Sequence, residues 1–294
     1  MSSHNTCAVV VTYHPEPTVF EHLTAFRSQA DGLVVVDNGS KLEEIESLRR
    51  ESERTGFRLI ENGENRGIAA ALNTGIRWAI ERSYEWVVLF DQDSTIPEGY
   101  LDALFASVES ETDPEMIAIV APQYRDPLQD GLYRSRCSAQ DGTPLEIMTT
   151  GSMLPTWIFE RCGWFEEALF IDQVDHEFCF RVRELGYRPL VCENVTIDHL
   201  PGSPRGLKLL GIKWISLNDY SPERRYYQTR NGLIIARRYK DTYPLWSRKT
   251  RYEILLKNPL KILLAETRQW EKLVNVVRGV VDAYVGRMGK RVDL

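Results

Sequence analysis

Three short Val-rich runs constrain this chain more than any other feature. They are "CAVVVTYH" (7–14), "GLVVVDNGS" (32–40) and "WVVLFDQDS" (86–94), and each ends abruptly in polar residues. Runs this continuous leave no polar side for water, so they read as strands buried on both faces, as in parallel sheets. Helix-compatible segments separate them: "PTVFEHLTAFRSQ", "KLEEIESLRRESERTG" and, after a further strand "FRLIEN", "GIAAALNTGIRWAIERS". The helix "EGYLDALFASVES" and the strand "MIAIVAPQ" continue the rhythm. Strand and helix in alternation predict an α/β fold, a mostly parallel sheet flanked by helices. In such a sheet Thr12, Tyr13, Asp37, Asn38, Asn65, Arg66, Asp91 and Asp93 fall on one edge, where open α/β sheets collect ligands.

Residues 123–146 lose the period. It returns with "LEIMTTGSML", the helical "VDHEFCFRVRELG" and the strand "RPLVCENVTIDHL". Near residue 205 the composition turns basic and helical, so 1–204 reads as the α/β domain and 205–294 as a helical extension. That extension holds 20 Lys and Arg against 8 Asp and Glu, whereas the whole chain of 294 residues has a net charge of −6. A basic tail on an acidic body predicts an anionic neighbour. No aromatic-interleaved basic module is present, so nucleic acid is not expected. The longest apolar runs fall short of the ~20 residues of a spanning helix, and no signal-peptide pattern opens the chain. Five scattered cysteines without a Cys-x-x-Cys pair fit reduced thiols in the cytoplasm.

No glycine-rich phosphate loop of either standard pattern occurs. Asp91 and Asp93 share a side of an extended segment, and two like charges so close need a proton or a cation between them. A divalent metal on aspartate oxygens, Mg²⁺ or Mn²⁺, would also neutralise ligand phosphates. The ordinary alternative is an Asp-rich turn before Pro97. Asn65 suits the cap of a helix starting at Gly67. A helix from Val174 would carry Asp175, Phe178, Cys179, Val182 and Leu185 on one face. Glu177, about 160° away, sits four before Arg181 and fits an ion pair.

"VVVTYHP", "VVVDNGS", "NGENRGIAAALNTGI", "VVLFDQDS", "TTGSML" and "DQVDHEFCFR" resemble, in order and spacing, the motifs of family 2 inverting glycosyltransferases with a GT-A fold. "FDQDS", "VDHEFCFR" and "SPERRYYQTRN" are similar to the bacterial subgroup that uses dTDP-L-rhamnose. The likeness spans roughly 7–240. It implies that Thr12, Tyr13, Asp37, Asn38, Asn65, Arg66, Asp91 and Gln92 hold the nucleotide. Asp93 and His199 would ligate the metal. Asp175 would be the base, although Val174-Asp175 replaces the usual Glu-Asp pair, which makes Asp172 a second candidate. Gly151, Ser152 and Glu177 would line the sugar or acceptor. Arg225, Tyr227 and Arg230 would belong to a loop closing on diphosphate. The acceptor implied is a glycan, growing on a lipid carrier at the inner face of the cell membrane.

Two other readings compete. "VVLFDQDST" also resembles the Asp-x-Asp-x-Thr strand end of haloacid-dehalogenase phosphohydrolases, though three strands precede it and no second acidic pair follows suitably. A non-catalytic nucleotide-sugar binder is the other. In the tail, apolar residues from 259 to 285 recur at helical spacing among many Lys and Arg. One amphipathic helix is predicted there, lying on a homodimer interface, on the catalytic body or on an anionic membrane.

Overall fold

The structure, a computed structural model, describes residues 5–126, 131–132, 137–139, 142–198, 203–209 and 212–292. Four parallel strands form its heart: β1 (Thr6–Thr12), β2 (Gly32–Asp37), β3 (Arg58–Glu61) and β4 (Trp86–Asp91), in the order β3-β2-β1-β4. All of β1 and β2 is buried, as the unbroken Val runs require. The helices α1 (Val19–Gln29), α2 (Leu42–Thr55) and α3 (Ile68–Ile80) make the crossovers. The chain winds outward from β1 to β3 and then returns to place β4 on the other side of β1. The carboxyl ends of β1 and β4 therefore flank the switch point of the sheet, where such folds open a crevice. Phe26 of α1 stacks on Phe90 of β4 at 4.0 Å beneath it.

Beyond β4 the sheet becomes mixed. After α4 (Tyr100–Glu109) comes β5 (Ile117–Asp126), which pairs with the two-residue β6 (Gly131–Leu132). Of "LEIMTTGSML" only the last two residues extend, in β7 (Met153–Pro155), antiparallel to β4 and β5. A short α5 (Trp157–Cys162) follows, then α6 (Val174–Glu184) and β8 (Arg188–Asp198), parallel to β5. Phe178, Cys179 and Val182 of α6 are buried as expected, but Leu185 is exposed, because the helix ends at Glu184 and Leu185 is its cap.

The segment from 205 is not all helical. It begins inside an antiparallel hairpin of β9 (Ser203–Leu209) and β10 (Ile212–Asp219), whose "IKWISLND" alternates as a strand does. Helices α7 (Pro222–Arg238), α8 (Pro244–Tyr252), α9 (Asn258–Ala265) and α10 (Gln269–Val285) complete the chain, with a π-helical turn at Glu253–Lys257. The single helix expected over 259–285 is broken. Glu266 turns its carboxylate inward to Arg225 and Lys272, and Arg268, in the left-handed region at φ 46°, redirects the chain. Phe180 packs among Tyr239, Tyr243 and Trp246, which fastens α6 to α7 and α8.

Candidate active site

The ends of β1, β2 and β4 meet as their sequence pattern predicts. Across the switch point, the Tyr13 amide donates to Gln92 Oε1 at 2.8 Å. His22 of α1 reaches the Gln92 carbonyl through Nδ1 at 3.0 Å. Tyr13 stays 44% exposed at the rim, with Thr12 buried below it. Asp37 is fully buried, and its oxygens accept from Gly39 N, Ser40 N, Ser40 Oγ and Thr12 Oγ1. Those four donors fill the acceptor capacity of a carboxylate. Asp37 thus shapes the loop after β2, and a ligand hydroxyl would have to displace one of them.

The asparagines beside it act together. Asn38 Oδ1 accepts from Asn62 Nδ2 at 3.1 Å and from the Arg66 amide at 3.1 Å, while its Nδ2 donates to Asn65 Oδ1 at 3.2 Å. Asn65 also accepts from Gly67 N at 3.0 Å, a turn just ahead of α3; it does not cap the helix as expected, since Gly67 is the N-cap residue and no side chain caps the first turn. The next amide, Ile68 N, goes to the Phe170 carbonyl at 2.8 Å. This network leaves the Arg66 side chain exposed beside the crevice.

At the end of β4, Asp91 is partly buried and Asp93 is exposed. Burial raises the Asp91 pKa to about 6, and Asp93 adds to the rise, while a hydrogen bond from Thr150 and the charge of Arg224 oppose it. Asp175 also acts on Asp91, so α6 presents its first turn to the same crevice. Asp175 Oδ1 accepts from the His176 amide at 2.9 Å, and no protein donor among the described residues takes Oδ2. Asp172 lies beside it. Burial raises its pKa against the pull of Arg224, whose Nη2 is 3.3 Å from Oδ1. Three aspartates and one arginine therefore converge at the mouth of the switch point.

The loop that carries Asp172 is bent into an unusual shape. Phe170, Asp172 and Gln173 all have positive φ, at 68°, 61° and 68°. Non-glycine residues in that region cost of order 1 kcal/mol or more each and persist only where surroundings hold them. Helix α7 holds them here. Asn231 Nδ2 reaches the carbonyls of Leu169 (2.8 Å), Ile171 (2.6 Å) and Asp172 (3.1 Å). Arg230 Nη2 donates to Leu169 O at 3.1 Å, and its guanidinium lies over the rings of Tyr226 and Tyr227.

These contacts correct several expectations. The segment "RRYYQTRN" is no loop but the first half of α7, capped by Ser221, which accepts from Arg224 N at 3.1 Å. Arg225, Tyr227 and Arg230 are buried and committed inward: Arg225 to Glu266, Tyr227 to Phe170 and the Arg291 amide, Arg230 to the loop. They are not available to a diphosphate. Glu177, 2% exposed, is locked by Arg181, Arg238 and Tyr239, so it joins α6 to α7 and does not face the crevice. Ser152 is fully buried, with its hydroxyl on Met148 O. Gly151 has φ 74°, and a Cβ there would fall 2.7 Å from the Tyr100 hydroxyl, so its role is close packing under the site. His199 lies outside the described residues. Arg224, expected with Arg225 and Arg230 on a closing loop, does reach the crevice, but from the start of a helix. Thr150 is the site residue that the sequence does not flag. It neighbours the glycine in "TTGSML", and its Oγ1 accepts from the Asp91 amide at 3.3 Å and meets Ser94 Oγ at 2.9 Å.

Next to His176 the Trp246 ring stands edge-on at 6.4 Å. Beside Trp246 opens a cleft of about 650 Å³, lined among others by Arg183, Thr242, Tyr243 and Leu245. Among the described residues no group of three or more His, Cys, Asp or Glu side chains forms a metal cage.

Comparison with known proteins agrees with this geometry. Residues 7–154 match the model of glycosyl transferase family 2. The chain is 32% identical to the dTDP-rhamnosyl transferase RfbF of Shigella flexneri over 255 residues, 80% of each protein. It is 26% identical to the low-salt glycan biosynthesis hexosyltransferase Agl10 of Haloferax volcanii, over 65% of this chain and 66% of that protein. In fold it is similar to the mannosyltransferase PcManGT of Pyrobaculum calidifontis, solved with GDP-Man and Mn²⁺ (TM-score 0.57, 18% identity, 96% of this chain and 75% of that one). The S. aureus TarS fragment 1–349, solved with UDP-GlcNAc, is another such neighbour (TM-score 0.61, 14% identity, 95% and 81%). The parallel sheet with its switch point, the motifs at its edge and these similarities lead to one conclusion: the chain is a glycosyltransferase of family 2 with a GT-A fold.

Proposed function

We propose that the protein transfers L-rhamnose from dTDP-L-rhamnose to a saccharide acceptor of a growing, lipid-linked cell-surface polysaccharide, with inversion in a single displacement. The observation that carries the reaction type is the convergence of Asp91, Asp172, Asp175 and Arg224 at the switch point. The 32% identity to a dTDP-rhamnosyl transferase, extended over four-fifths of both chains, supports the donor. The nucleoside would enter between Tyr13 and Arg66, both exposed at the crevice rim. Tyr13 offers a ring face to the base, and Arg66 an uncommitted fork to phosphate.

Asp91 and Asp93 fit a Mg²⁺ or Mn²⁺ ion. Burial, and after it the charge of Asp93, raises the Asp91 pKa; a cation relieves both, and the carboxylate oxygens match the preference of these ions. A shell with few protein ligands suits an ion that keeps waters and takes phosphate oxygens. When bound, such an ion neutralises charge on the departing diphosphate. Asp175 is the better base of the two candidates. Among the described residues its carboxylate has no Arg or Lys partner and only the His176 ring nearby, at 3.9 Å, whereas Asp172 is held by Arg224. Asp175 would take the acceptor hydroxyl proton as that oxygen bonds to the anomeric carbon and the dTDP oxygen leaves. Arg224 would stand on the diphosphate side, tethered to Asp172. The cleft beside Trp246, one ring away from His176, would receive the acceptor. An aromatic wall with polar neighbours suits a sugar. Release of dTDP from dTDP-L-rhamnose by the purified protein tests the reading.

A further inference from the structure

Helix α10 is turned inside out. Its buried side, packed on α7, carries Lys272, Asn275 and Asp282 with the small Gly279 and Ala283. Its outer side carries Trp270, 76% exposed, with Val277, Val281 and Tyr284. Polar contacts fix that orientation. Lys272 pairs with Asp219 and Glu266, and Asp282 accepts from the Tyr226 hydroxyl at 2.7 Å and from Arg291 at 2.8 Å. A Cβ on Gly279 would lie 2.8 Å from the Tyr226 carbonyl, so no larger residue could take its place at this contact. The apolar stripe is thereby held outward. Leu256, Leu260, Leu263 and Leu264, each more than half exposed, add a second row along α9 and the turn before it. Single exposed leucines need no explanation, but two rows of large apolar side chains on neighbouring helices mark a contact surface.

A pocket of about 440 Å³ adjoins this face and says what the contact is. Leu255 and Tyr284 wall it, and Arg237, Lys240 and Arg251 supply three cations. Among the described residues, none of the three forms an ion pair with a carboxylate. Elsewhere on α7, Arg225 and Arg238 are paired, as is Lys272 on α10. A second copy of the chain packed on this face about a twofold axis through the pocket would set its own three cations against these, which like-charge repulsion disfavours. A bilayer with anionic headgroups complements both features at once: phosphate for the pocket, acyl chains for the rows.

We infer that the α9–α10 face lies on a membrane containing anionic phospholipid, with a lipid phosphate in the Arg237–Lys240–Arg251 pocket. The inference goes beyond the transfer reaction and does not depend on the identity of the donor.

The test is co-sedimentation of the full chain with vesicles of phosphatidylcholine, alone or mixed with phosphatidylglycerol, while Trp fluorescence is followed. The wild type should bind the mixed vesicles, release in high salt, and show a blue shift that is reduced in Trp270→Phe. Arg237→Gln with Lys240→Gln should weaken binding by on the order of ten-fold or more, since each cation near such a surface contributes measurably. Leu263→Gln with Leu264→Gln should abolish it. All five positions are exposed, so the variants should melt as the wild type does. Equal binding to both vesicle types, or to neither, overturns the inference. So does a concentration-dependent dimer that the leucine variant dissociates while vesicles are ignored.

Discussion

The guanidinium of Arg224 lies 3.3 Å from Oδ1 of Asp172, and Oδ2 of that carboxylate has no hydrogen-bond partner among the described residues. One residue comes from the start of α7, the other from the strained loop before α6, so the pair ties the C-terminal helices to the catalytic crevice. Arg224→Gln should cut sugar transfer by on the order of ten-fold or more, because the diphosphate side loses its cation. Stability should fall by only about 1 kcal/mol, since Arg224 is 40% exposed and water screens the pair. Steady-state rates beside a denaturant melt separate the two effects. A large loss of stability with normal transfer would show that the pair is purely structural.

Asp175→Asn should leave donor affinity nearly unchanged while transfer falls roughly 10²-fold or more, the range for losing a general base. Asp172→Asn should be milder in rate, since its partner Arg224 can still reach the crevice. Isothermal titration with the donor and a transfer assay on both variants decide the matter. An active Asp175→Asn beside a dead Asp172→Asn would reverse the assignment.

Asn231→Ala should release three carbonyls of the 169–172 loop. The positive φ values there would lose their support, and transfer should drop more than donor binding does. Glu177→Gln breaks a buried ion pair and should instead cost about 3 kcal/mol of stability. A melting series places the two variants in these different classes. If Glu177→Gln melts like the wild type but no longer transfers, Glu177 belongs to the site after all.

What was legible in the sequence was the part written in local pattern. The Val runs declare β1, β2 and β4, and the polar residues after them declare one sheet edge, because strand burial and strand direction depend on neighbours in sequence. The inward commitment of Arg225 and Arg230 was not legible. Their partners, Glu266 and the Leu169 carbonyl, are 41 and 61 residues away, and an arginine looks alike in sequence whether it holds a phosphate or a loop. One signal was available: Ser221-Pro222 is a helix start, and helical spacing puts residues 225, 226, 229 and 230 on one face. Arg224 then stands apart from that face. The tail misleads for the opposite reason. An apolar stripe normally points inward, but Lys272, Asn275 and Asp282 make the polar side of α10 the buried one.

Acid conditions should affect the crevice through Asp91. Its folded pKa, raised by burial to about 6, exceeds the unfolded value of about 3.9. Between those values the folded state holds a proton that the unfolded chain has lost. Stability from this group is therefore full below about pH 4, falls as pH rises through 6, and is level above. In chelator-treated protein, Asp91→Asn should gain stability over the wild type at about pH 8 and show no gain at about pH 4. Melting curves at the two pH values check the sign, and a gain confined to the acid side would refute the burial of Asp91.

Transfer of a sugar from a nucleotide in this crevice is tested most directly with purified protein. The protein should be offered a panel of nucleotide sugars with Mg²⁺ or Mn²⁺, then with a chelator, and the released nucleotide measured. dTDP should be released from dTDP-L-rhamnose, faster with a saccharide acceptor, and the release should be lost on chelation and in Asp93→Ala. Hydrolysis of a phosphate monoester, with every nucleotide sugar left intact, would contradict that activity.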